Sequence, residues 1–418
     1  YKACHYNHPS AVWVRASAYN YYWLYAMWSH LHDEFKLRYG KDHKSYTLLY
    51  ELLRNPPKNI PLNIPFNQPT QAMPDDVKNE EDFIKYFKNS GHTVSVSPFF
   101  SNDYLIDLYG SNRKRLRHIF KAYITRMLAV MSFKKYSIIW VEKEVFPFLP
   151  SLFEKVIIIS RVPYIVDYDD AIFHSYDRNK YGFIRLILKN KLDSLLSNSS
   201  CVTVGNHYLE NYVASHGAKK VVKLPTVIDI NKYQYSFTPR NREFRIGWIG
   251  TPATQKYLSL IIEPLLNLKK LISIRLVTIG AKTLKGYGVP LEQHSWKEET
   301  EGEIINSFHV GIMPLYDDYW ERGKCGYKLI QYMACGIPVI ASPVGVNVEI
   351  VGTFHCGLLA DNLAEWEATL TQLLESKALR HQLGRAGRQA VEDRYSLQVQ
   401  APILAGIFTQ SMIVPGSK

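Results

Sequence analysis

From Glu80 onward two patterns alternate along the chain. Short β-branched runs bounded by turn residues are separated by stretches in which apolar residues recur every three or four positions. The first pattern marks strands and the second amphipathic helices. EDFIKYFKNSGHTVSVSPFF predicts a helix, a turn at Gly91 and a strand over Thr93–Pro98. Further strands are predicted at SIIWVEKE from Ser137, VPYIVDYDD from Val162, CVTVGN from Cys201 and VVKLPTVID from Val221. A second series starts at Phe244 and continues at Ile274, His309 and Pro338. Helical segments between the strands are the signature of a parallel sheet wrapped by helices. The expected fold class is therefore α/β, with two parallel-sheet halves divided by a polar linker near Tyr235–Arg242 that contains Pro239. The predicted spans are 1–76, 77–237, 238–395 and a helical tail over 396–418.

Residues 1–76 differ in character, being rich in Tyr, Trp and His. Apolar residues at helical spacing over Val12–Tyr39 predict one long helix or two shorter ones, and the Pro- and Asn-rich stretch Asn55–Pro74 reads as loop. His5, His8, His30, His32 and His43 fit no standard zinc spacing, so packing and surface roles are expected and no metal site.

The stretch Gly311–Asn347, GIMPLYDDYWERGKCGYKLIQYMACGIPVIASPVGVN, predicts a strand, a charged loop, a helix over Gly326–Cys335 and a strand over Pro338–Ser342. Its loop is where α/β proteins place ligands. Arg322, Lys324 and Lys328 crowd the start of the helix, where the macrodipole disfavours each cation by up to ~1 kcal/mol. An anion bound at the helix start is one resolution, and phosphate suits such a site. Pairing of the loop's own acids and bases is the other, and the charges alone leave the two even.

The 418 residues allow two or three domains, and 46% hydrophobic with 21% charged residues is ordinary for a folded protein. Five scattered cysteines without metal-ligand spacing read as reduced thiols in a cytoplasmic protein. No apolar run is long enough to span a bilayer. The formal charge of +12 suits nucleic acid, anionic lipid or a phosphorylated substrate without choosing among them. The basic stretch SNRKRLRHIFKAYITRMLAVM reads either as a face resting on anionic lipid or, the preferred expectation, as a surface helix with its apolar stripe turned to the core. A chain beginning at Tyr1 rather than Met is expected of a fragment, or of a sequence whose start lies upstream.

Two resemblances add to this. Tyr1, Lys2, His5, Asn7, His8, Pro9, Trp13, Arg15 and the run Arg38–Lys41 with His43 resemble a small phage-encoded domain of no secure activity. Residues 80–410, through VDYDDAIFH, GNHYLENY, PTVIDINKY, IGWIGTPAT and RGKCGYKLIQYMACGIPVIASPVGVN, resemble the GT-B glycosyltransferases, and most closely the retaining nucleotide-sugar enzymes of family 4. The resemblance implies two Rossmann-like domains facing a cleft. It implies that Gly250, Thr251 and Lys256 meet the nucleotide diphosphate and that Arg322, Lys324 and Lys328 stabilise it as it leaves. Val344, Gly345 and Val346 would line the nucleotide side, and Glu349 would hold a ribose hydroxyl. Asp169, Asp170 and His174 would bind the acceptor or sugar hydroxyls, with helix capping as the alternative for the acids. For Glu142 and Glu144 a site role and a structural one stay open. No cofactor is implied beyond the nucleotide sugar, itself a substrate.

Two departures accompany the resemblance. Gly323 and Gln331 stand where family 4 usually carries two glutamates eight positions apart, which favours same-face displacement assisted by the leaving diphosphate over a carboxylate nucleophile. The family's first strand is absent ahead of Asp82, and the phage-like segment takes its place. The expected function is transfer of a sugar from UDP or GDP to a glycan, a lipid-linked carbohydrate or another hydroxylated acceptor. Glycosylation of phage DNA bases and a non-catalytic binding role are the alternatives, in that order.

Overall fold

The computed structural model describes part of residues 25–54, then 77–100, 115–235 and 243–413 apart from 282–283 and 285–286. The phage-like residues before 16, the Asn55–Pro74 loop and most of the predicted linker lie outside the described residues. The chain forms two compact units, Tyr1–Gln71 and Ala72–Lys418. In the first, helical residues 35–39 turn through Gly40 and are followed by α1 (Lys44–Leu49). His32 stacks on Tyr46 at 3.6 Å and meets Asp42 at 3.0 Å, a packing role of the kind expected for this histidine.

The second unit opens with α2 (Val77–Asn89) and α3 (Arg115–Met131). Its first half then runs β1 (Ile139–Glu142), α4 (Ser151–Ser160), β2 (Tyr164–Tyr168), α5 (His174–Asp177), α6 (Gly182–Leu188), α7 (Asp193–Ser197), β3 (Cys201–Val204), α8 (His207–Ser215) and β4 (Val221–Lys223). These strands form one parallel sheet in the order β1-β2-β3-β4. The second half runs β5 (Phe244–Ile249), α9 (Ile262–Leu271), β6 (Ile274–Ile279), β7 (Leu291–His294), α10 (Glu298–Ile305), β8 (Val310–Met313), α11 (Tyr319–Arg322), α12 (Tyr327–Ala334), β9 (Val339–Ala341), α13 (Val346–Phe354) and β10 (Gly357–Leu359). It closes with α14 (Leu363–Glu375) and α15 (Lys377–Ala390).

The second sheet is parallel throughout, ordered β10-β9-β8-β5-β6-β7. Its strands β5, β6, β8 and β9 carry apolar side chains on both faces, as a sheet covered on both sides requires. Phe244, Ile246 and Trp248 enter one cluster with Val310 and Ile312, while Ile249, Met313 and Ala341 enter the cluster on the opposite face. The chain leaves β5 toward β6 and β7, then returns to β8 on its other side. That reversal opens a crevice beyond the carboxyl ends of β5 and β8, the place where open α/β sheets bind ligands.

A last helix, α16 (Leu397–Ile413), crosses back to the first half. Leu397 N donates to Ile228 O at 2.8 Å and Ile228 N to Tyr395 O at 3.1 Å. Beyond that hinge, Leu397, Ala401 and Leu404 bury against Phe83, Phe87, Leu224 and Val227, and Ile407 reaches Ile165 and Cys201. Each large aliphatic side chain so covered contributes roughly 1.5–3 kcal/mol.

Two expectations are corrected. Thr93–Pro98 is extended but forms no strand, although its residues alternate. A strand needs a partner; β1 ends its sheet, and Ser97 O instead accepts from the Arg126 guanidinium of α3 at 2.9 Å. The apolar stripe of α3 is not all turned to the core either. Ala122 and Val130 are buried, but Phe120, Ile124, Leu128 and Met131 face outward.

Candidate active site

Gly250 follows β5 directly, and Thr251 to Thr254 close a turn in which Thr254 Oγ1 accepts from Thr251 N at 3.1 Å. Lys328, in the first turn of α12, directs its Nζ to Thr254 Oγ1 at 3.4 Å and lies 5.0 Å from the Trp248 ring. A Cβ on Gly250 would come within 2.7 Å of both Lys328 Nζ and Thr254 Oγ1, so the glycine makes room for this ammonium group. Lys256 lies outside the knot, exposed, with its Nζ 5.0 Å from the Tyr257 ring.

The loop after β8 contains a short helix that sequence reading missed. Asp318 caps α11 by accepting from Tyr319 N at 2.7 Å. Arg322 forks onto Asp317 through bonds of 2.6 and 2.9 Å, and this pairing holds the Asp317 carboxyl below its usual range. Glu321 is buried and accepts from the Tyr257 hydroxyl. Lys324, half-buried, has no ion-pair partner among the described residues. Both resolutions of the crowded cations are therefore present. Arg322 is matched within the loop, and Lys324 is left, among the described residues, as a positive charge without an acid.

Gly345 is exposed at the start of α13, and a Cβ there would approach Arg322 O to 2.6 Å, so the helix start is pressed onto the cationic loop. Val344 and Val346, expected to line the cleft, are buried in the core beneath it. Glu349 is paired with Lys223 of β4 at 3.0 Å and lies 3.7 Å from Arg394, which ties α13 to the first half.

The two positions expected to carry glutamates also have a structural account. A side chain at Gly323 would overlap Ala171 of the first half. Gln331 is buried, donating to Glu301 Oε1 at 3.1 Å and to the Tyr233 hydroxyl at 3.3 Å. A glutamate at 331 would bring two carboxylates into contact in a buried site, where one of them would have to stay protonated.

In the first half Asp169 and Asp170 follow β2 at its carboxyl end. Lys143, just past the end of β1, reaches Asp169 at 3.0 Å, Asp170 at 3.3 Å and Glu142 at 3.4 Å. Its backbone is left-handed, with φ of 63°, a conformation that costs a non-glycine residue energy and is retained where surrounding contacts fix it. Asp170 also accepts from Ile172 N at 3.1 Å, the local bond weighed as the alternative role. His174 is buried between Asp177 Oδ1 at 2.8 Å and the Tyr208 hydroxyl at 2.7 Å, 5.9 Å from the ring of Tyr319 in the second half. Glu144 belongs to the architecture. Together with Glu154 it surrounds the buried Lys191 Nζ at 2.5 and 2.6 Å, and burial pushes its carboxyl up.

The halves touch directly at the cationic loop. Asn206 Nδ2 donates to Gly323 O at 3.0 Å and Lys324 O at 3.1 Å, while its Oδ1 caps α8 by accepting from Leu209 N at 2.9 Å. The Cys325 thiol enters the core of the first half, where burial first, and then Asp169 and Asp170, push it well up. Among the expected residues the structure thus assembles Gly250 and Lys328 in one knot, with Lys324 beside Asn206 and Asp169 and Asp170 on Lys143. Lys143, Thr254 and Asn206 were missed as site residues. Asn206, an Asn immediately before a helix, carried a capping signal but none for its second role.

Residues 229–390 match the family described as Glycosyl transferases group 1. No curated protein sequence matches the chain. Among solved structures, a glycosyltransferase from Rickettsia africae is similar at 13% identity and TM-score 0.58, covering 82% of this chain and 97% of that one. Sucrose-phosphate synthase from Thermosynechococcus elongatus is similar at 17% identity and TM-score 0.56, covering 72% and 80%. Anabaena Alr3699/HepE in complex with UDP is similar at 13% identity and TM-score 0.56, covering 69% and 82%. The fold is GT-B, as expected. The family match and these neighbours together support a glycosyltransferase.

Proposed function

We propose that the protein transfers a sugar from a nucleoside diphosphate sugar, UDP or GDP, to a hydroxyl of a glycan or lipid-linked carbohydrate, with retention at the anomeric carbon. The observation that supports this reading is Lys328 Nζ at the turn after β5, with the Asp169–Asp170–Lys143 group on the other half and Asn206 joining the two through the backbone of Gly323 and Lys324. As the anomeric carbon–oxygen bond breaks, negative charge develops on the diphosphate, and two preorganised ammonium groups stabilise it. The departing phosphate oxygen takes the acceptor's hydroxyl proton while the acceptor oxygen bonds to the same face of the anomeric carbon. Asp169 and Asp170 bind and orient that hydroxyl. The burial of Glu321 and Gln331 supports a route without a carboxylate nucleophile from this loop. UDP leads among the nucleotides because Anabaena Alr3699/HepE was solved with UDP and with UDP-glucose. A cytoplasmic location accompanies the proposal, supported by the buried free thiols Cys201, Cys325, Cys335 and Cys356.

A thermal-shift screen with UDP, GDP, ADP and their sugars tests it, since a ligand bound only by the folded state raises the melting temperature with its occupancy. One nucleotide family should shift the protein, and its sugar should be released or transferred on incubation. A shift without turnover for any sugar and acceptor favours the non-catalytic binding role. Absence of any shift overturns both.

A further inference from the structure

We propose that α6 and α3, with Phe148 between them, form a surface that docks the protein on a membrane carrying anionic lipid.

The helix α6 is apolar on both sides. Leu188 faces inward and is buried, whereas Phe183, Leu186 and Ile187, at i, i+3 and i+4, form an outward face, with Leu186 78% and Phe183 65% exposed. A soluble surface helix normally turns polar residues outward, so this face lacks its expected covering. The same pattern recurs on α3, where Phe120, Ile124, Leu128 and Met131 make one exposed stripe at helical spacing and Phe120 is 69% exposed.

The two faces are connected. Pro147 O accepts from the Tyr123 hydroxyl of α3, and the exposed Phe148 next to it lies 5.3 Å from the Tyr176 ring of α5. Phe146 O, one residue before, accepts from Lys191 at the end of the α6 segment at 2.7 Å. The loop carrying Phe148 is itself fixed by the buried Lys191 cluster and by Tyr176, whose hydroxyl accepts from Phe148 N at 3.0 Å. Phe148 stands in the left-handed region at φ 56°, a strained backbone at an apolar tip.

Charge selects the partner. From Arg178 to Leu192 the sequence RNKYGFIRLILKNKL contains no acid, and Lys180, Arg185 and Lys189 are exposed around the apolar face of α6. No acid occurs between residues 115 and 141 either, and Arg117, Lys121, Lys134 and Lys135 are exposed along α3 and just beyond it. Apolar side chains ringed by unopposed cations match the acyl boundary and anionic headgroups of a bilayer. A second copy of this chain would set these like charges against each other. Among the described residues no helix is long and apolar enough to cross a membrane, so the contact is with one leaflet. The surface begins a few residues after Asp169 and Asp170, and Arg178 lies over the ring of Tyr319 at 3.2 Å, so the docked face borders the cleft.

Flotation of the full chain with vesicles of phosphatidylcholine, with and without phosphatidylglycerol, tests the surface whether or not the protein transfers a sugar. Binding is expected to the anionic vesicles and to weaken with added salt. Phe183→Ser with Leu186→Ser should lower the partition about tenfold or more at low salt. Lys180→Glu with Lys189→Glu, both at exposed positions, should lower it by a similar factor and remove most of the salt dependence. Unchanged melting temperatures separate lost docking from lost folding. Failure to bind anionic vesicles, binding that neither double variant reduces, or a dimer broken by Phe183→Ser with Leu186→Ser in a protein that ignores vesicles would each overturn the proposal. Salt-sensitive retention of duplex DNA without vesicle binding would do the same.

Discussion

The two sides of the cleft treat their charges in opposite ways. On the first half the buried Lys143, Lys191 and His174 are each answered from within. Lys143 meets Asp169 and Asp170, Lys191 lies between Glu144 and Glu154, and His174 is held by Asp177 and Tyr208. On the second half the loop between β8 and α12 answers Arg322 with Asp317 but leaves Lys324 without an acid. The first arrangement is complete in the protein alone. The second keeps a cation unmatched, and in the proposed reaction a nucleoside diphosphate meets it.

That contrast can be broken at several points. The largest effect is expected from Lys191→Met. Removing the cation leaves two buried carboxylates facing each other, and such a loss costs about 3–5 kcal/mol of stability. Chemical denaturation measures it, and Lys191→Met with Glu144→Gln should recover part of the loss. A cost below about 1 kcal/mol, the level of an exposed pair, would show that the cluster is solvated. Next, Lys324→Ala should leave the melting temperature within a degree or two while lowering sugar transfer about 100- to 1000-fold, the usual effect of deleting one preorganised electrostatic group. Steady-state turnover with the nucleotide sugar found by the screen reads this out. Arg322→Ala should matter least. Its guanidinium is exposed and already committed to Asp317, so transfer is expected to fall no more than about threefold, in keeping with the small worth of surface pairs. A loss equal to that of Lys324→Ala would show that Arg322 leaves Asp317 for the ligand.

The sheet series was legible because buried parallel strands write themselves as continuous apolar runs. The runs at Ile139, Cys201 and Phe244 all became strands. Thr93–Pro98 had the right alternation and failed because a strand also needs a neighbour. Crowded cations at the α12 start were visible in the sequence, but not which of them would be neutralised. Arg322 meets an acid five residues away, a local fact that still required the turn geometry of α11. The remaining partners come from far along the chain. Lys223 takes Glu349 from 126 positions away, and Asn206 grips Lys324 O across 118. No local pattern encodes such meetings, so neither the Lys223 partner of Glu349 nor the second role of Asn206 could be read from the sequence.

The return of α16 to the first half bears on the order in which the chain can mature. Phe83, Phe87, Trp140 and Ile165 leave the ribosome well before Leu397, Leu404, Ile407 and Phe408, which cover them. At cellular elongation rates that interval is on the order of tens of seconds. During it the nascent first half presents an unfinished apolar face, a natural substrate for a chaperone. Its completion waits for α16.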